Sequence, residues 1–217
     1  MNKIDLVKFL EFLTAILLAF WFKREIPLFA KRINRQTYDE FYSLVNFQLD
    51  YDDFEKQSTL KIKKSKLSIL FFFIFPLVTL LNQNYLISAI IIILCFLTVL
   101  DILYYLTDIR YLAILFLLTL YKGNLETFYF TVIFFIFIHF FSIFLLKKES
   151  FGLGDSLLLI ALSPLFTLEQ MLHLVLIASL LGVTYYLAER CMTSQKRQKL
   201  PFIPFISVAT FIIIYLN

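Results

Sequence analysis

Residues 86–100 read LISAIIIILCFLTVL and are followed directly by Asp101. This stretch carries no charged side chain. Such a run is typical of a membrane-spanning helix once its flanking residues extend it toward the roughly 20 residues that a span requires. The fold class that it predicts is an all-α membrane protein.

The composition of the whole chain supports the same class. Of 217 residues, 60% are hydrophobic, 18% are aromatic and only 17% are charged, with a mean hydropathy of +0.82. This combination excludes a soluble globular domain, a disordered chain and a disulfide scaffold. Cys95 and Cys191 lie too far apart to form a metal-ligand motif or a disulfide framework, and nothing in the sequence suggests a nucleic-acid partner.

Eight apolar segments are predicted to form helices that cross the membrane. They are residues 9–22, 67–81, 86–100, 111–121, 128–146, 157–166, 172–187 and 202–216. Several are shorter than a full span, so six spans with re-entrant pieces remain an alternative.

The basic residues predict the orientation of the eight spans, because cytoplasmic loops carry an excess of Lys and Arg. An outside amino terminus puts 17 of the 20 basic residues in the cytoplasmic connections, which are 23–66, 101–110, 147–156 and 188–201. Both termini are therefore expected outside. We expect the chain to have two parts: residues 1–84, with the large cytoplasmic loop, and a membrane core over 85–217.

Two aspartates lie at the ends of apolar segments. Asp101 follows residues 86–100, and Asp155 precedes residues 157–166. The predicted topology puts both at the cytoplasmic boundary and therefore at the same depth. A carboxylate near hydrocarbon is costly to ionise, so such a residue is usually paired, in contact with a water-filled cavity, or functional.

Two of the four glycines in the chain lie just before the second aspartate. Gly152 and Gly154 flank Leu153, and Asp155 follows directly. Residues without a Cβ allow another backbone or a substrate strand to come close to the carboxyl group. The alternative interpretation of the same tetrapeptide is a plain turn.

A pair of neighbouring carboxyl groups has a specific chemistry. Like charges a few ångströms apart cannot both form easily, so the pair holds a shared proton. The ionised member can then deprotonate a water that attacks a peptide carbonyl. The protonated member hydrogen-bonds the carbonyl oxygen and later helps to protonate the leaving amine. This route needs neither a metal nor a covalent intermediate.

At these residues the sequence resembles the type IV prepilin peptidase family, the intramembrane aspartyl proteases of the GxGD type. The similarity covers about residues 85–217 and rests on three motifs, LD at 100–101, FGLGD at 151–155 and PFIPF at 201–205. It implies Asp101 and Asp155 as the catalytic pair, with Gly152 and Gly154 in the active-site loop.

The resemblance also implies a substrate and a location. The substrate would be a type IV prepilin or pseudopilin, whose short basic leader is cut at the cytoplasmic face of the bacterial inner membrane. The partners would be this substrate and membrane lipid, in pilus assembly or protein secretion.

The sequence departs from the family pattern at several positions. Thr107-Asp108 stands where the family usually has Pro-Asp, and Leu157 stands where it often has lysine. We expect Asp108 to be a boundary residue paired with Arg110. Many bacterial members carry two CxxC pairs, a zinc-type spacing, in the first cytoplasmic loop, whereas residues 23–66 contain no cysteine. We therefore predict no zinc and no S-adenosylmethionine, and N-methyltransferase activity stays open.

Two alternatives compete with the peptidase interpretation. One is an inactive or non-proteolytic family member that has kept the fold. The other is a membrane cation or proton transporter that uses the same two aspartates, although transporters usually place such acids near the midplane, within paired repeats.

Overall fold

The structure is a computed structural model. It describes residues 3–44, 50–63, 65–82, 84–146, 152–192 and 200–216. Every regular element in these ranges is a helix, in agreement with the predicted all-α class. The chain divides into two compact units, Met1–Tyr85 and Leu86–Asn217. Several residues used in the sequence analysis lie outside the described ranges, namely Lys64, Lys147, Lys148, Phe151, Lys196, Arg197 and Lys199.

The first unit is built from one long helix, two shorter helices and a 3-10 turn. Its elements are α1 (Lys3–Leu44), α2 (Tyr51–Gln57), a 3-10 turn (Lys66–Leu70) and α3 (Phe71–Leu81). The predicted segment 9–22 lies inside α1, and the helix continues past it to Leu44. The first half of the polar connection 23–66 is therefore helical, and α2 adds a further helical segment within it.

Helix α1 packs against α3 along one face. Ala15, Ala19, Phe22 and Ile26 are buried at helical spacing on this face. The Phe22 ring meets the Phe75 ring of α3 edge to face, with centroids 5.8 Å apart. The alanines leave room for the phenylalanine rings that fill the contact between the helices.

In the second unit the other helices surround α4, whose side chains are buried on most sides. Its helices are α4 (Tyr85–Tyr104), α5 (Ile109–Leu120), α6 (Leu125–Phe141), α7 (Leu153–Leu162), α8 (Leu168–Met192) and α9 (Ile203–Leu216). A π-helical turn, Ser142–Leu146, continues α6, and a 3-10 turn, Ser163–Leu165, follows α7. The centre of the core takes one fully buried side chain from each of five helices: Leu97, Leu115, Leu158, Leu174 and Ile206.

The membrane character of the chain rests on its apolar helices. Among the described residues, Tyr85–Tyr104, Leu125–Phe144 and Leu168–Met192 are long and apolar enough to cross a membrane. Four further apolar helical segments are too short to do so alone, namely Lys66–Leu81, Ile109–Leu120, Leu153–Leu165 and Ile203–Leu216. The 12 residues of α5, for example, extend for only about 18 Å. Each of the eight predicted segments lies in a helical part of the chain. Eight spans and outside termini remain predictions.

Two polar side chains fix α5 and α6 to the end of α7. Thr119 of α5 is fully buried and donates its hydroxyl hydrogen bond to the carbonyl oxygen of Ala161 over 2.6 Å. Asn124 caps α6 and donates through Nδ2 to the carbonyl oxygen of Phe166 over 2.8 Å. These contacts hold the helix that carries Asp155 against its neighbours.

We predict that Thr119→Val lowers the free energy of unfolding by about 1–2 kcal/mol, because it leaves the buried Ala161 carbonyl without this donor. Thr184→Val is the matched control, since the exposed Thr184 hydroxyl bonds only to Leu181 of its own helix. Thermal unfolding of both variants in detergent tests the prediction, and equal losses of stability would contradict it.

Candidate active site

Asp101 lies one turn before the end of α4. The helix stops at Tyr104, and the next residue, Tyr105, adopts a left-handed backbone conformation with φ of 54°. The Tyr105 N–H still donates to the carbonyl oxygen of Asp101 over 2.9 Å. A left-handed conformation costs a residue with a Cβ on the order of 1 kcal/mol. It turns the chain sharply just beyond the aspartate.

The Asp101 carboxylate meets the beginning of α9. Its Oδ2 accepts a hydrogen bond from the Ile203 N–H over 3.1 Å, and the residue is only 7% exposed. The first N–H groups of a helix have no acceptor within the helix, and a negative charge is favoured at this end. Pro204 has no N–H and fits the first turn of a helix. The PFIPF motif thus starts a helix at the point where its free N–H reaches Asp101.

Asp155 lies in the first turn of α7, and Gly152 is the residue that caps this helix. A Cβ at Gly152 would lie 2.8 Å from Oδ2 of Asp155. The carboxyl group therefore bends back toward the helix start, over the space that the glycine leaves free. No hydrogen bond to the Asp155 carboxylate occurs among the described residues.

Gly154 allows a close approach of the chain that follows α4. A Cβ at Gly154 would lie 2.5 Å from Oγ1 of Thr107 and 3.3 Å from its Cβ. Only glycine fits at this distance without displacement of Thr107. The two segments that carry the aspartates therefore touch each other through this pair.

The two aspartates line one cleft of about 630 Å³. The four predicted site residues Asp101, Gly152, Gly154 and Asp155 are all in its wall. Other side chains complete the wall: Tyr105, Leu106, Thr107, Ile109, Leu112, Leu153, Leu157, Leu200 and Phe202. A pair of acids in a mostly apolar cleft is suited to acid–base chemistry on a bound peptide.

Phe202 is supported from behind by α8. A Cβ at Gly182 would lie 3.2 Å from the edge of the Phe202 ring, and the Phe205 ring packs against the same glycine. Gly182 therefore permits the position of the aromatic residues that precede and open α9. Through them it supports the wall of the cleft and the helix end that binds Asp101.

Asp108 does not line the cleft, although the residue before it, Thr107, does. It caps α5 by accepting a hydrogen bond from the Arg110 N–H, and its carboxylate binds the Arg110 guanidinium through two further bonds of 2.9 and 3.2 Å. The expected pairing of Asp108 with Arg110 is confirmed, and its position at the membrane boundary stays a prediction.

Three features of the cleft were not predicted from sequence. They are the contact of Thr107 with Gly154, the conformation of Tyr105 and the hydrogen bond from the Ile203 N–H. The two prolines of PFIPF could have identified the last feature, since they indicate where a helix begins. Nothing in the sequence indicates the left-handed conformation of Tyr105, because tyrosine rarely adopts it.

No group of three His, Cys, Asp or Glu side chains that could hold a metal ion occurs in the part of the chain that the structure describes. The cleft itself offers two carboxyl groups and no histidine or cysteine. The absence of a cofactor remains a prediction from sequence.

The chain is similar to a curated protein of Haemophilus influenzae, the prepilin leader peptidase/N-methyltransferase. The two are 35% identical over 101 residues, which make up 46% of this chain and 42% of that protein. The match thus spans less than half of the relative's length. No family model matches the chain, and no solved structure matches it significantly.

We predict that Asp101→Ala is less stable than Asp101→Asn by about 1–3 kcal/mol. Both changes remove the charge, but only alanine leaves the Ile203 N–H without an acceptor. The same two changes at Asp155 are the control and are expected to differ little. Thermal unfolding of the four variants measures this, and a similar difference at both positions would show that the bond to α9 is not its cause.

We also predict that Gly154→Ala is destabilising by about 1–3 kcal/mol, through overpacking against Thr107. Helix propensity alone would make the same change stabilising by up to about 1 kcal/mol, so the sign of the effect is informative. Thr107→Ala in the same chain should restore at least half of the loss. A more stable Gly154→Ala variant would mean that Thr107 does not limit this space.

Proposed function

We propose that this chain is an intramembrane aspartyl endopeptidase that removes the basic leader peptide of a type IV prepilin or a prepilin-like protein. The observation that carries the proposal is the single cleft lined by Asp101, Asp155 and the two glycines before it. The similarity to a prepilin leader peptidase adds support from outside the structure.

The two carboxyl groups would share the work of peptide hydrolysis. The ionised carboxylate takes a proton from a water molecule, whose oxygen attacks the carbonyl carbon of the scissile peptide bond. The protonated carboxyl group donates a hydrogen bond to the carbonyl oxygen, where negative charge develops. As the carbon–nitrogen bond breaks, a carboxyl group returns a proton to the leaving amine.

The close contacts around the pair favour this role. The bond from Ile203 fixes the Asp101 carboxylate, while the described residues offer no fixed partner to the Asp155 carboxylate. Gly152 leaves room for the Asp155 carboxyl group itself, and Gly154 admits Thr107 beside it. The two glycines thus allow the Asp155 carboxyl group to lie in the wall of the cleft, where a bound peptide must come within hydrogen-bond distance of both acids.

We further propose that the chain is a multi-pass protein of the bacterial inner membrane. The cleft would lie at the cytoplasmic face, where the leader of the substrate ends and its hydrophobic helix begins. The proposed activity is cleavage, and N-methyltransferase activity stays open, since residues 23–66 lack the cysteine pairs that many family members carry. The proposed partners are the prepilin substrate and membrane lipid.

A cleavage assay in membranes tests the function. A prepilin-like substrate is expressed with the wild-type chain, with Asp101→Asn or with Asp155→Asn, and its size and new amino terminus are determined. We expect each variant to lose activity by at least about 100-fold, the usual contribution of a general acid or base.

Asp108→Asn is the matched control. It changes the same residue type close to the same cleft, but Asp108 is bound to Arg110 and lies outside the cleft wall. Cleavage should persist in this variant. Cleavage that survives in Asp101→Asn or Asp155→Asn would disprove the paired-acid mechanism. A wild-type chain that cleaves none of several such substrates would favour an inactive relative or a transporter.

A further inference from the structure

The first unit contains a second cleft, to which the proposed cleavage assigns no role. It has a volume of about 770 Å³ and lies between α1 and the 3-10 turn Lys66–Leu70. This volume falls in the range of about 300–1,000 Å³ that is usual for ligand sites. Its walls come from two chemically different groups of side chains.

One wall is apolar and open. Leu17, Phe20 and Trp21 of α1 line the cleft, and each is about 60% exposed. Large exposed apolar side chains on successive turns of a helix mark a surface that meets lipid or another apolar partner rather than water. Helix α3 also presents exposed apolar side chains, since Phe73 and Leu81 are 69% and 63% exposed.

The other wall is basic and follows the apolar one directly in sequence. Lys23 and Arg24 line the cleft one turn beyond Phe20, together with Ser65 and Ser68. The Lys23 ammonium lies 5.4 Å from the centre of the Phe72 ring, a contact that holds it near the apolar wall. No acidic residue lines this cleft in the ranges that the structure describes.

We propose that this cleft binds an anionic phospholipid. The headgroup phosphate would lie against Lys23 and Arg24, and an acyl chain would lie along Leu17, Phe20 and Trp21. The apolar wall would face the acyl chain and the basic wall the headgroup, because the basic residues begin where the apolar segment of α1 ends. Basic residues at such a boundary attract anionic headgroups. The same charges disfavour a basic peptide as the occupant, and the proposal is independent of the cleavage activity.

The chain carries its own reporter for this site. Trp21 is the single tryptophan of the sequence and lines the cleft. The full chain is reconstituted in phosphatidylcholine vesicles that contain an increasing fraction of brominated phosphatidylglycerol, and quenching of Trp21 fluorescence is recorded. A second series uses brominated phosphatidylcholine instead.

We expect quenching by the anionic lipid to exceed that of the zwitterionic lipid at equal fractions, with a relative affinity of about tenfold or more. Lys23→Gln with Arg24→Gln should remove this preference. The matched control, Lys31→Gln with Arg35→Gln, changes the same charge on the same helix outside the cleft and should retain it.

Three results would overturn the proposal. They are equal quenching by the two lipids in the wild-type chain, an unchanged preference in the Lys23 and Arg24 variant, and equal losses in the two double variants. The first comparison needs no substitution, so the proposal remains testable if the variant fails to fold.

Discussion

The hydrogen bond from the Ile203 N–H to the Asp101 carboxylate joins the first and last helices of the second unit. It provides a hydrogen-bond partner to two groups at once. A carboxylate that is only 7% exposed needs a hydrogen-bond donor, and the first N–H groups of α9 need an acceptor. Because each group meets the hydrogen-bonding requirement of the other, the end of α4 and the start of α9 are held side by side. The cleft forms where they meet, so the candidate chemistry depends on a contact between residues about a hundred positions apart.

Two glycines allow the segments that form the cleft to pack closely against each other. Gly154 admits Thr107, which brings the start of α7 against the chain beyond α4. Gly182 admits the Phe202 ring, which brings α8 against the start of α9. In each contact a side chain of a neighbouring segment fills the space that a Cβ on the glycine would need. Such tight packing leaves the two segments little freedom to move. Two acids on different helices are thereby held on one wall, while Asp155 keeps its carboxyl group free of described partners.

Much of the secondary structure and part of the site could be predicted from sequence. Uncharged runs such as 86–100 predicted helices correctly, and the two aspartates with their glycines do line one cleft. The extent of α1 beyond residue 22 was not predicted, because a helix can continue through polar sequence once its side chains pack on another segment, as Tyr38 packs on Tyr51 and Phe54 of α2. The contributions of Thr107 and Tyr105 were missed as well, since they arise from contacts between segments.

The sequence by itself determined the membrane class, the positions of the apolar helices and the residues that are chemically able to act, because hydrophobicity and side-chain chemistry are local properties. Only the tertiary structure decided that Asp101 binds the start of α9, that Asp108 stays out of the cleft wall, and that Thr107 packs on Gly154. These outcomes depend on distances between segments that are far apart in the chain. Such distances follow from how helices pack and not from the spacing of residues along one helix.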